Sequence, residues 1–153
     1  MWTNFNEYEV VNPFFDGNPA SRWNEQPVEI QGRLYHTMDL VQAIRDYMGK
    51  PFMITSTWRP RRRGSAHTVG KAVDFQIVNG TDADYLKAMN WLAKECNIPG
   101  FRAFLEWQGR RPWIHVDRGY KDRGQRVFRV GYPKHGKMLY APYEGRLPQS
   151  YAQ

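Results

Sequence analysis

Residues 65–74 of the chain read SAHTVGKAVD, and the fold is expected to be organised around this stretch. From residue 72 to residue 77, small or polar residues alternate with apolar ones, which is the period of a half-buried strand. Asp74 should therefore point away from the core. His67 precedes the turn that Gly70 permits, so the chain could bring this imidazole back beside Asp74.

A second stretch, PWIHVD at residues 112–117, alternates in the same way and places His115 and Asp117 on one strand face. If both strands belong to one sheet, His67, Asp74 and His115 can converge. Two imidazoles and one carboxylate suit a catalytic zinc ion, which uses three protein ligands and leaves a fourth position open. The same donor set favours zinc over calcium or magnesium.

The pattern Ser-x-His-x-x-Gly-x-Ala-x-Asp at residues 65–74, with the later His-Val-Asp at residues 115–117, resembles the zinc DD-peptidase family. That family includes the VanX/VanY-like D-Ala-D-Ala peptidases and phage L-alanyl-D-glutamate endolysins, and it shares a fold with the Hedgehog signalling domain. The resemblance implies zinc binding by His67, Asp74 and His115. Residues 56–59, STWR, resemble the family's Ser-Gly-Tyr-Arg, which implies a substrate-binding or structural role for Arg59 beside the metal.

The general base is less well defined by this resemblance. Many family members carry a glutamate three residues before the last zinc histidine, and others carry a histidine two residues before it. Pro112 and Trp113 occupy these positions here. A tight hairpin would pair Glu106 with Trp113 and bring its carboxylate to the face of His115, whereas a register shift by one residue would turn it away. Asp117 is the competing base or a carboxylate that supports the ligand, and a site without a protein base is the third alternative.

Ser65 and the basic loop that precedes it have two interpretations each. The Ser65 hydroxyl could bind a ligand or merely shape the turn. Arg61 to Arg63 could form a solvated loop, because neighbouring cations repel, or an anion clamp for the carboxylates of a peptidoglycan stem peptide.

The patterns predict an α+β fold, in which helices pack on one face of a small antiparallel sheet, as in the Hedgehog/DD-peptidase fold. Thr37 is expected to cap a helix that ends near Gly49, and residues 81–84 to open a second helix. Strands are predicted at residues 52–57, 72–77, 101–107, 112–117 and 127–130. Cys96, the one cysteine, excludes a disulfide framework and is expected to be a buried thiol.

Three segments of a single domain are expected. Residues 1–35 should form an irregular N-terminal arm with a short strand at residues 28–30. Residues 36–120 should form the zinc peptidase-like core, and residues 121–153 a basic extension that ends as an extended tail.

The formal net charge of +7 favours anionic partners such as the polymers of a bacterial cell envelope. Specific nucleic-acid binding is not expected, because no recognised nucleic-acid motif is present. No segment is apolar enough to span a membrane, and the start of the chain does not resemble a signal peptide. Synthesis in the cytosol, with release by another route, is therefore expected.

The leading hypothesis is a zinc metallopeptidase that cuts peptide bonds of bacterial peptidoglycan, as phage endolysins do. Such an enzyme would accumulate in the host cytoplasm and then reach the cell wall. The alternative is a catalytically inactive virion structural or wall-binding protein that keeps the fold, which the missing glutamate before His115 favours.

Overall fold

The computed structural model describes residues 2–13, 18–62, 64–119 and 124–153. These residues form an α+β domain with one six-stranded sheet. The helices are α1 (Glu7–Val11), α2 (Val28–Met48) and α3 (Asp82–Glu95). The strands are β1 (Phe52–Ser56), β2 (Ala72–Ile77), β3 (Arg102–Glu106), β4 (Trp113–Asp117), β5 (Val127–Lys134) and β6 (Lys137–Pro142). Among these helices none is long and apolar enough to cross a membrane.

The strand order across the sheet is β1-β2-β4-β3-β5-β6. Neighbouring strands run antiparallel except for β3 and β5, which are parallel. The prediction of an antiparallel sheet is therefore wrong for this one pair. Since β4 is antiparallel to β3, it ends beside the start of β3. The next strand, β5, pairs with the other edge of β3 and begins at the same end of the sheet. The two strands β3 and β5 therefore run parallel.

The two longer helices pack on one face of the sheet and bury its apolar side chains. Val73 and Phe75 of β2, together with Ile114 and Val116 of β4, are fully buried within this core. The same core includes the apolar faces of α2 and α3, with Leu34, Met38, Val41, Ile44, Tyr85, Ala88, Met89 and Leu92. Because side chains alternate along a strand, Asp74 and His115 lie on the opposite face of the sheet.

Helix α2 begins at Val28, so both the strand predicted at residues 28–30 and the cap predicted at Thr37 are wrong. Burial of Ile30 and Leu34 against the core extends the helix toward its N-terminus. Thr37 is fully buried within α2, and its hydroxyl lies 2.9 Å from the carbonyl oxygen of Lys71. A threonine that favours a cap in isolation is thus used here as a tertiary contact.

The C-terminal residues form a hairpin rather than an extended tail. The strand predicted at residues 127–130 extends to Lys134, and β6 follows it after the turn residues His135 and Gly136. Both turn residues have positive φ values, 52° and 74°, as two-residue hairpin turns require. The weak sequence pattern of this segment does not predict that β5 and β6 pair with each other.

Other local predictions are confirmed. Thr81 caps α3 through a capping box with Asp84, and Cys96 is a buried free thiol. The division of the chain at residues 35 and 120 stays a prediction, and the second boundary falls in residues 120–123, outside the described part of the chain.

Candidate metal centre

Three side chains from different parts of the sequence meet on the sheet face opposite the helices. His67 lies in a 3₁₀ turn (Ala66–Val69), Asp74 on β2 and His115 on β4. Asp74 and His115 are directly paired across the two strands. All three are buried, and one potential ligand atom from each lies within 4.8 Å of the other two. The structure thus brings together the three residues that the motifs single out.

The turn that carries His67 is built by local contacts. The Ser65 hydroxyl accepts a hydrogen bond from the backbone N–H of His67 at 3.2 Å, so Ser65 shapes the turn as well as lining the cleft. Gly70 ends the turn with φ of +70°, a conformation that favours glycine. A Cβ atom at Gly70 would also lie only 3.0 Å from Cγ2 of Ile30. The glycine of the motif is therefore required for both backbone conformation and packing.

A backbone carbonyl fixes the imidazole of His67. Its Nδ1 lies 2.6 Å from the carbonyl oxygen of Thr57, which can only accept a hydrogen bond. Nδ1 must therefore carry a proton, which leaves Nε2, 3.2 Å from Asp74 Oδ1, as the ring nitrogen that could bind a metal. A donated bond from the other ring nitrogen is the usual way in which proteins orient a metal-binding histidine.

A carboxylate supports His115 in the equivalent manner. Its Nδ1 lies 2.8 Å from Asp74 Oδ1, while its Nε2 lies 2.6 Å from Asp117 Oδ2. Asp117 is fully buried and also accepts hydrogen bonds from Arg102 Nε and from the backbone N–H of Gly119. The Asp117 carboxylate thus contacts His115, Arg102 and Gly119, and these contacts could hold the His115 ring in place.

In the protein without metal, the pKa values of Asp74 and His115 reflect the close approach of these ionisable side chains. Burial alone would raise the pKa of Asp74, but the neighbouring His67 and His115 hold that pKa well below its usual range. Burial likewise opposes protonation of His115, yet Asp74 and Asp117 raise its pKa to about 10. Without metal, the two carboxylates stabilise a positive charge on protonated His115. A metal cation bound beside His115 would be stabilised by the same negative charge.

Two of the three separations between the ligand atoms are compatible with a small tetrahedral cation. At ordinary Zn–N and Zn–O bond lengths, ligand atoms of a tetrahedral site lie roughly 3.3 Å apart. The observed separations from Asp74 Oδ1 to the two histidine nitrogens, 3.2 and 2.8 Å, are close to that value. The donor set contains two imidazoles and one carboxylate, and each imidazole is oriented by a separate partner, so His67, Asp74 and His115 could hold zinc.

A cleft of about 1000 Å³ opens onto the three side chains. Its walls include three aromatic side chains, Phe104, Trp113 and Tyr140. Its lining also contains the arginines Arg59, Arg62, Arg102, Arg110 and Arg111.

The arginines predicted around the site differ in position. Arg59 lies at the cleft, and its backbone N–H donates to the carbonyl oxygen of His67 at 2.9 Å. Of the basic loop, Arg62 lines the cleft and Arg61 is exposed outside its lining. Arg63 falls outside the described residues.

Glu106 occupies the position that the hairpin register predicts. It is paired with Trp113, shares the cleft with the three candidate ligands and is 8% exposed. Burial raises the pKa of Glu106, although nearby His115 partly offsets this effect. The Tyr140 hydroxyl donates a hydrogen bond to Glu106 Oε1 at 2.5 Å.

Sequence reasoning missed several supporting groups. The Thr57 carbonyl cannot be identified from a side-chain pattern. Arg102 had a usable signal, because strand alternation places it on the same face as Glu106. Tyr140 had none, since its segment was interpreted as a tail.

Comparison with known proteins supports the same assignment. The family model described as peptidase M15 matches residues 18–117, a range that contains all three candidate ligands and Glu106. A search of curated proteins finds no match, and neither does a search of solved structures. Peptidases of the M15 family are zinc-dependent in general, and the buried His67, Asp74 and His115 could bind such an ion. The chain belongs to the peptidase M15 family.

Proposed function

We propose that the protein is a zinc-dependent peptidase that hydrolyses peptide bonds of bacterial peptidoglycan, in the manner of a phage endolysin. The observation that carries the proposal is the buried His67–Asp74–His115 cluster, open to a large cleft that also contains Glu106. The family match supports metallopeptidase activity and suggests peptidoglycan as the substrate. The adjacent motif strands also support our proposal of a Hedgehog/DD-peptidase fold.

The residues of the cleft divide into three roles in this proposal. His67, Asp74 and His115 would hold the zinc ion, which when bound polarises a carbonyl and lowers the pKa of water. Glu106 would accept a proton from the attacking water and pass it to the leaving amine. Asp117 would keep His115 in the orientation needed for metal binding.

The charge of the cleft supports a substrate rich in carboxylates. Arg59 and Arg62, which follow β1 in the chain, and Arg110 and Arg111, which lie between β3 and β4, all line the cleft. Arginine pairs with carboxylates through two parallel hydrogen bonds, and peptidoglycan stem peptides carry several carboxylates. The net charge of +7 would also favour attachment to an anionic envelope. The proposed setting, host cytoplasm and then cell wall, rests only on the resemblance to phage lysis enzymes.

A second candidate function is a virion structural or wall-binding protein without hydrolytic activity. Pro112 at the position of the family's glutamate favours it. Glu106 counts against it, because this carboxylate lines the cleft beside the candidate metal ligands and could supply the base that Pro112 does not.

Digestion of purified peptidoglycan tests the proposed function directly. Zinc-loaded protein should release new amine ends, and mass spectrometry of the fragments would identify the bond that is cut. Treatment with EDTA should abolish the release, and added zinc should restore it. If protein containing stoichiometric zinc releases nothing from several wall chemistries, the binding or structural function is favoured instead.

Two variants distinguish the candidate bases. Glu106→Gln should retain zinc and lower kcat by about 10²- to 10⁴-fold, because the proton acceptor is removed. Asp117→Asn should weaken zinc affinity by about 10- to 100-fold and largely retain kcat at saturating zinc. Full activity of Glu106→Gln would show that Glu106 is not the base.

A further inference from the structure

The C-terminal hairpin supplies a side chain to the cleft from outside the segment that matches the family. The match ends at residue 117, whereas Tyr140 lies on β6. Tyr140 and Met138 both line the cleft, and the Tyr140 hydroxyl donates to Glu106 Oε1 at 2.5 Å. The hairpin thus contacts the residue that the proposed reaction uses as its base.

A glycine on the strand between them makes this contact possible. Across the sheet, Glu106 on β3 is paired with Gly131 on β5, which is paired with Tyr140 on β6. A Cβ atom at Gly131 would lie 2.7 Å from Cε1 of Tyr140 and 3.2 Å from Oε1 of Glu106. The absence of a side chain at Gly131 therefore leaves the space through which the Tyr140 ring crosses β5.

Tyr140 is suited to act as a hydrogen-bond donor at this position. Burial and the neighbouring Glu106 raise the pKa of the phenol above its usual value, so the hydroxyl keeps its proton. Its ring packs beside Phe104 with 5.7 Å between centroids. Burial raises the pKa of Glu106, and a side-chain hydrogen bond from Trp113, its pairing partner on β4, opposes this rise. Glu106 is thus held between β4 and β6.

We propose that Tyr140 is a positioning residue that fixes the Glu106 carboxylate in the cleft, and that Gly131, which has no side chain, leaves the space that the Tyr140 ring needs. The inference rests on the proposed function, in which Glu106 is the general base. By holding one carboxylate oxygen, Tyr140 restricts rotation of the group and leaves the remaining lone pairs to accept a proton. The hairpin beyond the family segment is therefore part of the catalytic machinery.

The first test compares Tyr140→Phe with Tyr132→Phe in zinc-loaded protein. Tyr132 lies on the same hairpin, outside the cleft lining, and packs against the core. Tyr140→Phe should lower kcat by about tenfold while KM changes by less than about twofold, because the substrate contacts remain. Tyr132→Phe should leave kcat unchanged. Equal kcat values for Tyr140→Phe and the wild type would overturn the proposal.

Gly131→Ala provides a second variant that keeps the hydroxyl. Its added methyl group would displace the Tyr140 ring, so a kcat loss similar to that of Tyr140→Phe is expected. The effects of the two substitutions should not add in the double variant, because both break the same contact. Fully additive effects would show that Gly131→Ala lowers kcat without disturbing the contact between Tyr140 and Glu106. That result would overturn the role assigned to Gly131.

A readout without metal or substrate separates this proposal from the proposed function. In metal-free protein, a double-mutant cycle of Tyr140→Phe and Glu106→Leu, neither of which can form the hydrogen bond, measures the coupling of the two side chains in unfolding. A coupling equivalent to about a tenfold change in the unfolding equilibrium is expected for a hydrogen bond to a charged group. If the wild type cuts no wall substrate, the proposed function fails, while this cycle still tests the contact. A coupling of zero would overturn the positioning role.

Discussion

At the scale of single residues, the site depends on which atoms hold each imidazole. His67 is oriented by a backbone carbonyl and His115 by a buried carboxylate, so both rings present a defined nitrogen to Asp74. Such orientation reduces the freedom that a ligand loses when metal binds. The three candidate ligands should therefore act as one set.

Replacement of any one ligand should abolish metal retention. His67→Ala, Asp74→Ala and His115→Ala should each reduce zinc content from about one ion per chain to almost none, because zinc needs three protein ligands here. Elemental analysis after dialysis measures this. His36→Ala, at an exposed position within α2, is the matched control and should keep its zinc. Stoichiometric zinc in two of the three ligand variants would contradict the assignment.

The buried carboxylate of Glu106 should lower stability as pH rises. Burial raises its folded-state pKa above the ordinary value of 4.5, so the native state favours the protonated form. The stability that protonated Glu106 contributes to the fold is fully present below the unfolded-state pKa, and it is lost as pH rises through the folded-state pKa. Metal-free Glu106→Gln should therefore gain in melting temperature relative to the wild type between about pH 4 and about pH 8. Thermal scans at both pH values measure this difference, and a constant difference would contradict the direction.

At the scale of elements, turns and helix ends place the ligands. The 3₁₀ turn before β2 returns His67 to the strand that carries Asp74, and Gly70 closes it with a positive φ. Helix α2 packs Ile30 directly against this glycine. The helix start that sequence analysis misplaced is thus part of the support for the site.

Two glycine substitutions should change stability in opposite directions. Gly70→Ala should lower the free energy of unfolding by roughly 1–3 kcal/mol, because of its positive φ and the contact with Ile30. Gly32→Ala, within α2 and with open space around the new methyl group, should raise it by about 0.5–1 kcal/mol. Chemical denaturation of both variants measures these changes. Destabilisation by both substitutions would contradict this account of the turn.

At the scale of the whole molecule, the metal would join segments that are far apart in sequence. The ligands come from the turn after β1, from β2 and from β4, while Glu106 and Tyr140 come from β3 and β6. One sheet face collects all of them because adjacent strands present alternate residues to the same side. Metal binding should therefore stabilise the fold as a unit.

Removal of zinc should lower the melting temperature markedly. A ligand present at about 1000 times its dissociation constant contributes about 4 kcal/mol to stability. For a chain of this size, that corresponds to a fall of roughly 10 °C when EDTA is added. Calorimetry with and without EDTA measures the shift, with magnesium in place of zinc as the control. An unchanged melting temperature in protein shown to carry zinc would contradict a shared structural site.

Local sequence patterns were sufficient for the features that depend on nearest neighbours along the chain. Strand alternation assigned Asp74, His115 and Glu106 to one face, and turn residues set the β3–β4 register that pairs Glu106 with Trp113. The cap of α3 at Thr81 followed from the same local chemistry. These features need no long-range contact to be specified.

Only the folded chain shows the contacts between distant segments. Thr37 is a buried bridge to Lys71 rather than a cap, and Tyr140 reaches Glu106 across Gly131 on an edge hairpin whose pattern predicted a tail. The parallel pairing of β3 with β5 also follows from the side of β3 on which the chain returns. Such pairings depend on burial and on strand neighbours that are remote in sequence, and no local period encodes them.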